Sequence, residues 1–410
     1  MKKDDNSALS PQTREQLRKV KTADLLVGIS SYNNAHTINY VVYQAAQGLD
    51  TYFPNMESAI FVSDGNSTDG TLAVVKAMRF PFQVSVIPAI YQGVSGKGSA
   101  VKAVFEAAKF LDAKAVALTD SDLRSITPDW IKLLISPTLV NTGLVTPFYV
   151  RHKYDGTITN FLCYPVTSAL YGKKIRQPIG GDFGLSRELV EELLESPLWQ
   201  TPYVPRFGID IFETHTALAK KFNVKQAFLG TKVHDAKDPS KHLAPMFRQV
   251  MGSMFTCIAR HQKTWKKISG FSEAEIVGEE KYTGAPEPIV VDLQNLTKTY
   301  KEGFDQNKQI YETILEKQLL EEVEKLRNNS ELSFSPEIWA KTVYSFVAGF
   351  KNREILEKER LLDALRTLWI GKVAAFVNET LELDTAETEK LLDKEVEAFR
   401  RLKPFLLDLF

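Results

Sequence analysis

Asp120 and Asp122 stand one residue apart in ALTDSDLRSITPDWI (117–131), where an apolar run ends just before an expected helix. A bend can bring two such carboxylates to one ligand, one coordinating a hard cation and the other accepting hydrogen bonds from a sugar hydroxyl. Magnesium or manganese on a diphosphate keeps open positions for one or two protein carboxylates. The D-x-D spacing alone arises by chance in many proteins. The plain alternatives are that Asp122 caps the helix starting near Pro128, or that both residues decorate a turn.

Three other segments carry related chemistry. VSDGNSTDGT (62–71) places Asp64 where another apolar run stops, with Ser67, Thr68 and Asp69 suited to capping the next helix. GVSGKGSAVK (93–102) sets Lys97 between glycines before a helix N-terminus, where an ammonium and backbone amides can meet an anionic phosphate. The G-x-x-x-x-G-K-[ST] spacing of a Walker loop is absent. His234, in GTKVHDAKD (230–238), follows a strand-like run and offers an imidazole to a metal, against the commoner reading of a solvated loop histidine.

The elements that must position these residues alternate in type. ADLLVGISSY (23–32), SAIFVSDG (58–65), FQVSVIPA (82–89) and AKAVALTD (113–120) are short apolar runs that end in polar or turn residues, as buried strands do. Between them, apolar residues recur at helical spacing. This order predicts an α/β fold, a mostly parallel sheet flanked by helices. Ligands in such sheets bind beyond the carboxyl ends of the strands, and Asp64 and Asp120 both stand there. Further on, the pattern predicts a strand after residue 142, a helix from Thr157, a helix over 207–221, a strand over 225–235 and a helix from Pro239 to Trp265. EEKYTGAPEPIVVD (279–292) reads as linker, and the remainder of the chain to Phe410 as about four amphipathic helices. The expected division is an extension at 1–22, a catalytic domain at 23–270, a linker at 271–289 and a C-terminal helical domain at 290–410.

Composition excludes some classes. Lys and Arg number 51 against 51 Asp and Glu, so no global basic field favours nucleic acid or an anionic membrane. No apolar stretch approaches the ~20 residues that span a bilayer. Cys163 and Cys257 sit in apolar contexts and fit buried thiols in a reducing compartment. The expectation is a cytoplasmic protein. The other histidines, including His242, lack metal-ligand spacing among themselves.

In order and spacing, SDGNSTDGT, SGKGSAVKA, DSDLRSITPDWI, QPIGGDFGLSREL, RFGIDIFETHTAL and KVHD resemble the GT-A nucleotide-sugar glycosyltransferases over about residues 24–260. More narrowly they are similar to the retaining glucosyl-3-phosphoglycerate, glucosylglycerate and mannosylglycerate synthases. The resemblance implies that Asp120 binds the donor ribose region, that Asp122 and His234 hold Mg2+ or Mn2+ on the diphosphate, and that Lys97 lies near the donor phosphates or sugar. It places Ser30, Tyr32, Asn33 and Asn34 against the nucleotide, with Asp64 and Ser121 also on the donor side. Asp210 matches an acidic residue near the transferred sugar, so Asp210 and Lys97 become the catalytic candidates. Gly156, Thr157 and Thr159 match an acceptor-binding loop, and Arg151, Gly181 and Asp182 are the further acceptor candidates.

Two departures bear on specificity. SSYNN (30–34) stands where glucosyl-3-phosphoglycerate synthases commonly carry Pro-Ala-Leu-Asn-Glu, so Asn34 replaces a carboxylate. Thr157 stands where that family has an arginine suited to a bidentate grip on phosphate, with Arg151, His152 and Lys153 near enough in sequence to substitute. The expected reaction is retaining transfer of a hexose, glucose first, from a nucleotide sugar to a small carboxylic acid, D-glycerate or 3-phosphoglycerate. The runners-up are mannose from a guanosine donor and a lipid or polysaccharide acceptor. A non-catalytic nucleotide-sugar-binding protein is the rival class, disfavoured because Asp122, His234 and Asp210 are all present. A homodimer built with the C-terminal helices is expected.

Overall fold

The computed structural model describes residues 7–234, 243–280, 284–328 and 332–410. The chain divides into two compact units, one of residues 1–150, 179–235 and 274–286, the other of 151–178, 236–273 and 287–410. This departs from the linear division expected from the sequence. Segments 151–178 and 243–270, expected inside the catalytic domain, group with the C-terminal helices. Within the expected extension, among its described residues from 7 onward, Leu9 and Leu17 are buried and Ala8 accepts a backbone bond from Gln92.

The first unit is built on eight strands: β1 (Leu25–Ser31), β2 (Ser58–Asp64), β3 (Ser85–Ile90), β4 (Ala115–Asp120), β5 (Leu144–Val150), β6 (Phe183–Ser186), β7 (Val224–Thr231) and β8 (Ile276–Val277). They form one sheet in the order β8-β7-β5-β6-β4-β1-β2-β3. All pairings are parallel except those of β6, which runs antiparallel to both β4 and β5. Its helices are α1 (Pro11–Val20), α2 (Ile38–Tyr52), α3 (Thr71–Ala77), α4 (Lys97–Phe110), α5 (Pro128–Ile135), α6 (Arg187–Leu194) and α7 (Ile209–Ala219). In α2 the buried residues Ile38, Val41, Val42, Ala45, Ala46 and Leu49 make one apolar stripe. That stripe shares a core with Leu25, Val27 and Ile29 of β1 and Trp130 and Ile131 of α5. Each fully buried Val, Leu or Ile contributes roughly 1.5–3 kcal/mol.

Register carries this packing to the functional end. Ser31 pairs with Asp64 and Ser30 with Asp120, so β1, β2 and β4 finish level at their carboxyl ends. The mostly parallel α/β sheet expected from the alternation of elements is observed, with a helical C-terminal region, and it is the GT-A fold that the resemblance implies.

The second unit is helical. A π-helical turn, Thr159–Cys163, runs into the helix Tyr164–Tyr171; Ala244–Arg260 and Gln262–Trp265 come next. Pro239, the expected start of that helical stretch, lies outside the described residues. The C-terminal part has six described helices, not about four: Leu293–Ile314, Lys317–Asn328, Pro336–Phe350, Ile355–Glu379, Thr385–Arg401 and Lys403–Leu409. Capping explains several of the starts. Ser335 accepts from the Ile338 amide, and Asp384 and Glu387 form a reciprocal capping box. The helix Ile355–Glu379 is buried nearly all round between Leu361 and Val377, as a central helix must be. Trp339 and Trp369 donate their indole N–H groups to the carbonyls of Phe161 and Thr157, at 2.7 and 3.3 Å. These bonds tie residues 151–178 to the C-terminal helices, which a boundary drawn near 290 would separate. Cys163 and Cys257 are buried and unbridged.

Candidate active site

At the carboxyl end of β4, Asp120 is held by two lysines. Lys97, the first residue of α4, donates to Asp120 Oδ1 at 2.9 Å and lies 3.3 Å from Asp210 Oδ1 in the first turn of α7. Gly98 permits this meeting: a Cβ there would fall 1.9 Å from the Val204 carbonyl oxygen, so only glycine lets α4 press against the 203–208 turn. The Gly98 and Ser99 amides donate to the Arg206 and Pro205 carbonyls, at 3.0 and 2.9 Å. Just past β7, Lys232 donates to Asp120 Oδ2, Asp182 Oδ2 and the Gly180 carbonyl, each at 3.0 Å. Gly181, at φ 88°, could carry no side chain without meeting Asp120 Oδ2 at 2.4 Å.

Lys232 was not among the candidates read from the sequence, although it stands two residues before His234. A lysine directly after a buried strand was the available signal. Tyr149 was missed too; its ring lies 4.9 Å from Lys232 Nζ and its hydroxyl donates to Asp182.

Asp182, expected as an acceptor contact, instead is fully buried and accepts from the Asp120 amide at 2.9 Å as well as from Lys232 and Tyr149. With both oxygens taken, it anchors Asp120 and Lys232. Three carboxylates thus share two ammonium groups. Burial would raise the Asp120 pKa, but the charges of Lys97 and Lys232 outweigh it and hold that carboxyl far below the usual range. Burial would likewise lower the Lys97 pKa, and Asp120 and Asp210 override it upward. For Asp210 burial wins, and its pKa is raised although Lys97 opposes the shift.

Asp122 lies within electrostatic reach of Asp120 and Lys232. The Arg124 amide donates to the Val233 carbonyl at 2.9 Å, and the Val233 amide to Ser125 Oγ at 3.0 Å. Those two bonds stitch the loop after β4 to the chain after β7, which sets Asp122 and His234 in electrostatic reach of each other. Asp122 does not cap α5, whose N-cap position is Thr127. Burial, then the Asp120 charge, raises its pKa. A nearby dication would lower it. Among the described residues no group of three or more His, Cys, Asp and Glu could hold a metal alone. One carboxylate and one imidazole fit an ion that takes its remaining ligands from a diphosphate and water.

The strand-end loops form a second cluster. Asp64 is fully buried and accepts from Ser31 Oγ at 2.8 Å and from the Ser67 amide and hydroxyl, each at 2.7 Å. Expected as a donor contact, it instead holds the loop after β2 in place. Ser67 Oγ accepts from the Asn33 amide at 2.8 Å, while Asn34 Oδ1 accepts from Ser121 Oγ at 2.7 Å and from the Tyr32 amide at 3.1 Å. Asn34 thus ties the β1 loop to the Asp120-Ser121-Asp122 turn. Ser30 ends beside Asp120 in register, and Tyr32 is 64% exposed at the same strand end. Ser67 and Thr68 cap no helix; α3 starts after Gly70, with Asp69 accepting from the Thr71 amide and hydroxyl.

The remaining acceptor candidates belong to the second unit. Arg151 pairs with Asp155 at 3.5 Å, and Gly156, at φ 66°, precedes the helical stretch begun by Thr157. Thr157 is buried with no hydrogen-bond partner for its hydroxyl, and Thr159 is buried in the π-helical turn. Lys153, considered from the sequence as a substitute anion grip, donates to the carbonyls of Thr380, Leu381 and Leu383 at 2.5, 3.2 and 2.8 Å. It caps the end of the helix Ile355–Glu379 and has no donor left for a ligand.

Residues 26–194 match the family described as Glycosyl transferase family 2. The match makes this segment similar to a glycosyltransferase family 2 domain. It contains Asp64, Lys97, Asp120 and Asp122, whereas Asp210, Lys232 and His234 lie beyond the matched residues. Comparison with curated proteins gave no match. Among solved structures, glucosyl-3-phosphoglycerate synthase from Mycobacterium tuberculosis with Mn2+, UDP and phosphoglyceric acid is 23% identical, with 60% of this chain and 82% of that chain covered and a TM-score of 0.45. The same enzyme with Mg2+ and UDP gives 23%, 60%, 83% and 0.46. A mycobacterial protein gives 21%, 60%, 78% and 0.45. Likeness that loose transfers no substrate to this chain, whose chemistry has to be argued from its own residues. No described helix is long and apolar enough to cross a membrane.

Proposed function

We propose that this glycosyltransferase moves a hexose, with retention, from a nucleoside diphosphate sugar to D-glycerate or 3-phosphoglycerate, with UDP-glucose as the first-choice donor. The observation that carries the reading is the Lys97–Asp120–Lys232 knot beside Asp122 and His234 at the ends of the strands. Breaking the bond from a sugar to a diphosphate requires stabilising the departing charge, and fixed cations do so without reorganising. Lys97 is fixed in that sense, held by two carboxylates before any donor arrives. Asp122 and His234 would hold Mg2+ or Mn2+, which as a Lewis acid neutralises charge on the diphosphate. Asp210 faces the transferred sugar, and the acceptor hydroxyl attacks on the leaving-group side while a diphosphate oxygen takes its proton.

Arg151, Gly156, Thr157 and Thr159 bind the acceptor. Lys153 is spent on backbone carbonyls, which leaves Arg151 as the cation for the acceptor's carboxylate or phosphate. A site with one arginine and Thr157 demands less of a phosphate than a bidentate pair would, so unphosphorylated glycerate is accepted. A matrix of nucleotide sugars against glycerate, 3-phosphoglycerate and lactate, with products identified by mass and NMR, tests this. Transfer to none of the three acids sinks the reading. The mannose reading keeps its place because Asn34, where relatives have a carboxylate, is spent on the Ser121 hydroxyl and the Tyr32 amide. The full chain forms a homodimer through the helical unit, where Leu356 and Leu381 are exposed. A monomer mass by light scattering would refute that assembly.

A further inference from the structure

Glu213 is fully buried on α7, one helical turn beyond Asp210, and neither of its carboxyl oxygens has a hydrogen-bond partner. Leaving a buried neutral polar group without a partner is costly, and leaving an ion so is far more costly. Such a group in a native interior needs a reason. Side chains three apart on a helix have Cβ atoms about 5–6 Å apart, so Glu213 stands behind the carboxylate that Lys97 meets at 3.3 Å.

The charges around it are few. Burial and then Asp210 raise the Glu213 pKa well above the usual range, and Lys97 opposes them. The elements packed against α7 are α4, α6 and β5. On α4, Lys102 lies near Glu106 and over the Trp199 ring, and Lys109 is exposed. On α6, Arg187 pairs with Glu191, Glu192 with Lys220, and Glu188 is exposed. The one titratable group of β5, Tyr149, is engaged with Asp182, and on α7 itself the nearest further group is the buried His215.

We infer that Glu213 is a positioning residue of the donor site, a buried carboxylic acid that keeps its proton in the working protein so that Asp210 alone presents negative charge to Lys97 from this helix. The inference rests on the proposed donor-site role of Lys97 and Asp210. Ionised, Glu213 would be a fourth carboxylate competing for two ammonium groups and would draw Lys97 from Asp120. Neutral, it leaves the 2.9 Å bond between those two residues undisturbed.

Two readouts on the full chain test it, using Glu213→Gln and Glu213→Leu, both permanently neutral. In infrared spectra at about pH 7, the wild type should show the carbonyl band of a protonated carboxylic acid that both variants lack. Absence of that band in the wild type overturns the proposal without any assay of turnover. The second readout is kcat/KM for the donor against pH. Raised until the band bleaches, pH should cost the wild type at least about tenfold more than either variant. Profiles that superimpose after bleaching overturn the positioning role; a band that persists until unfolding supports the retained proton. If the wild type turns over no donor sugar, the functional reading fails, and the band still decides the state of Glu213.

Discussion

Lys97 in the sheet unit, partly exposed, and Lys372 in the helical unit, buried, are both lysines bound to carboxylates, yet their surroundings differ. Lys372 donates to Glu395 Oε1 at 2.5 Å and to the Phe334 carbonyl at 2.8 Å, and the side chains of the pair are only 4% and 6% exposed. One cation meets one anion, away from solvent. Lys97 divides itself between Asp120 and Asp210, whose side chains are 23% and 12% exposed, and carboxylates outnumber ammonium groups around it. Lys403 gives a third arrangement: its ammonium donates to three backbone carbonyls, those of Leu170, Trp265 and Ile268, with no carboxylate among them. A closed charge account fastens chain segments together. An open one, partly wet and short of positive charge, suits the metal-bound diphosphate of the proposed reaction.

The largest expected effect breaks the open side of that comparison. Asp122→Ala and His234→Ala should each lower kcat by at least about 10²-fold, in protein that still folds, and chelator should abolish wild-type activity until Mg2+ or Mn2+ is returned. Undiminished turnover in excess chelator would refute the metal reading.

Removing the two lysines separates the cases further. Lys97→Met should lower kcat by roughly 10²-fold. Lys372→Met should destabilise the protein by about 3–5 kcal/mol in urea, because it strands Glu395, with donor KM unmoved. The double variant Lys372→Met, Glu395→Leu should recover most of that loss. A Lys372 variant with normal stability and impaired kcat would erase the distinction between the units.

A smaller effect sharpens the reading of the acceptor loop. Arg151→Ala should raise acceptor KM about tenfold, the loss of one charge-assisted grip. Lys153→Ala should lower the melting temperature and leave acceptor KM near the wild-type value. The reverse pattern would return the anion grip to Lys153.

The smallest is a pH slope from Lys403. Burial pulls its pKa down to about 8, so above that pH the folded chain has released a proton that the unfolded chain still holds. Folding stability from this group therefore rises as pH climbs from about 8 toward the ordinary lysine range, and is at its lowest below that window. Melting temperatures of wild type and Lys403→Met across the window should diverge in the wild type's favour. Parallel curves would show that the carbonyls hold the ammonium charged throughout.

Much of the site could be read locally because its residues sit where one element changes to the next. Asp120 ends a buried strand, Lys97 opens a helix between glycines, and both positions are written in contiguous sequence. Asp64 and Asp182 show the limit of that reading. Their residue types and positions suit ligand contacts, and the structure spends both carboxylates on Ser67 and Ser31, or on Lys232, Tyr149 and the Asp120 amide. Lys153 misleads for the same reason, since its three acceptors lie more than 200 residues away.

Apolar periodicity and the residues that break it determined the strands, the helices and the strand-end placement of Asp120, because those signals are local and repeat every two or 3.6 residues. Tertiary structure alone decided which charges meet. Lys232 reaches Asp120 across 112 residues of sequence, and Lys97 reaches Asp210 across 113. Strand order and the close approach of α4 to the 203–208 turn set those distances, and a charge pair depends on separation in space, of which spacing along the chain carries no trace.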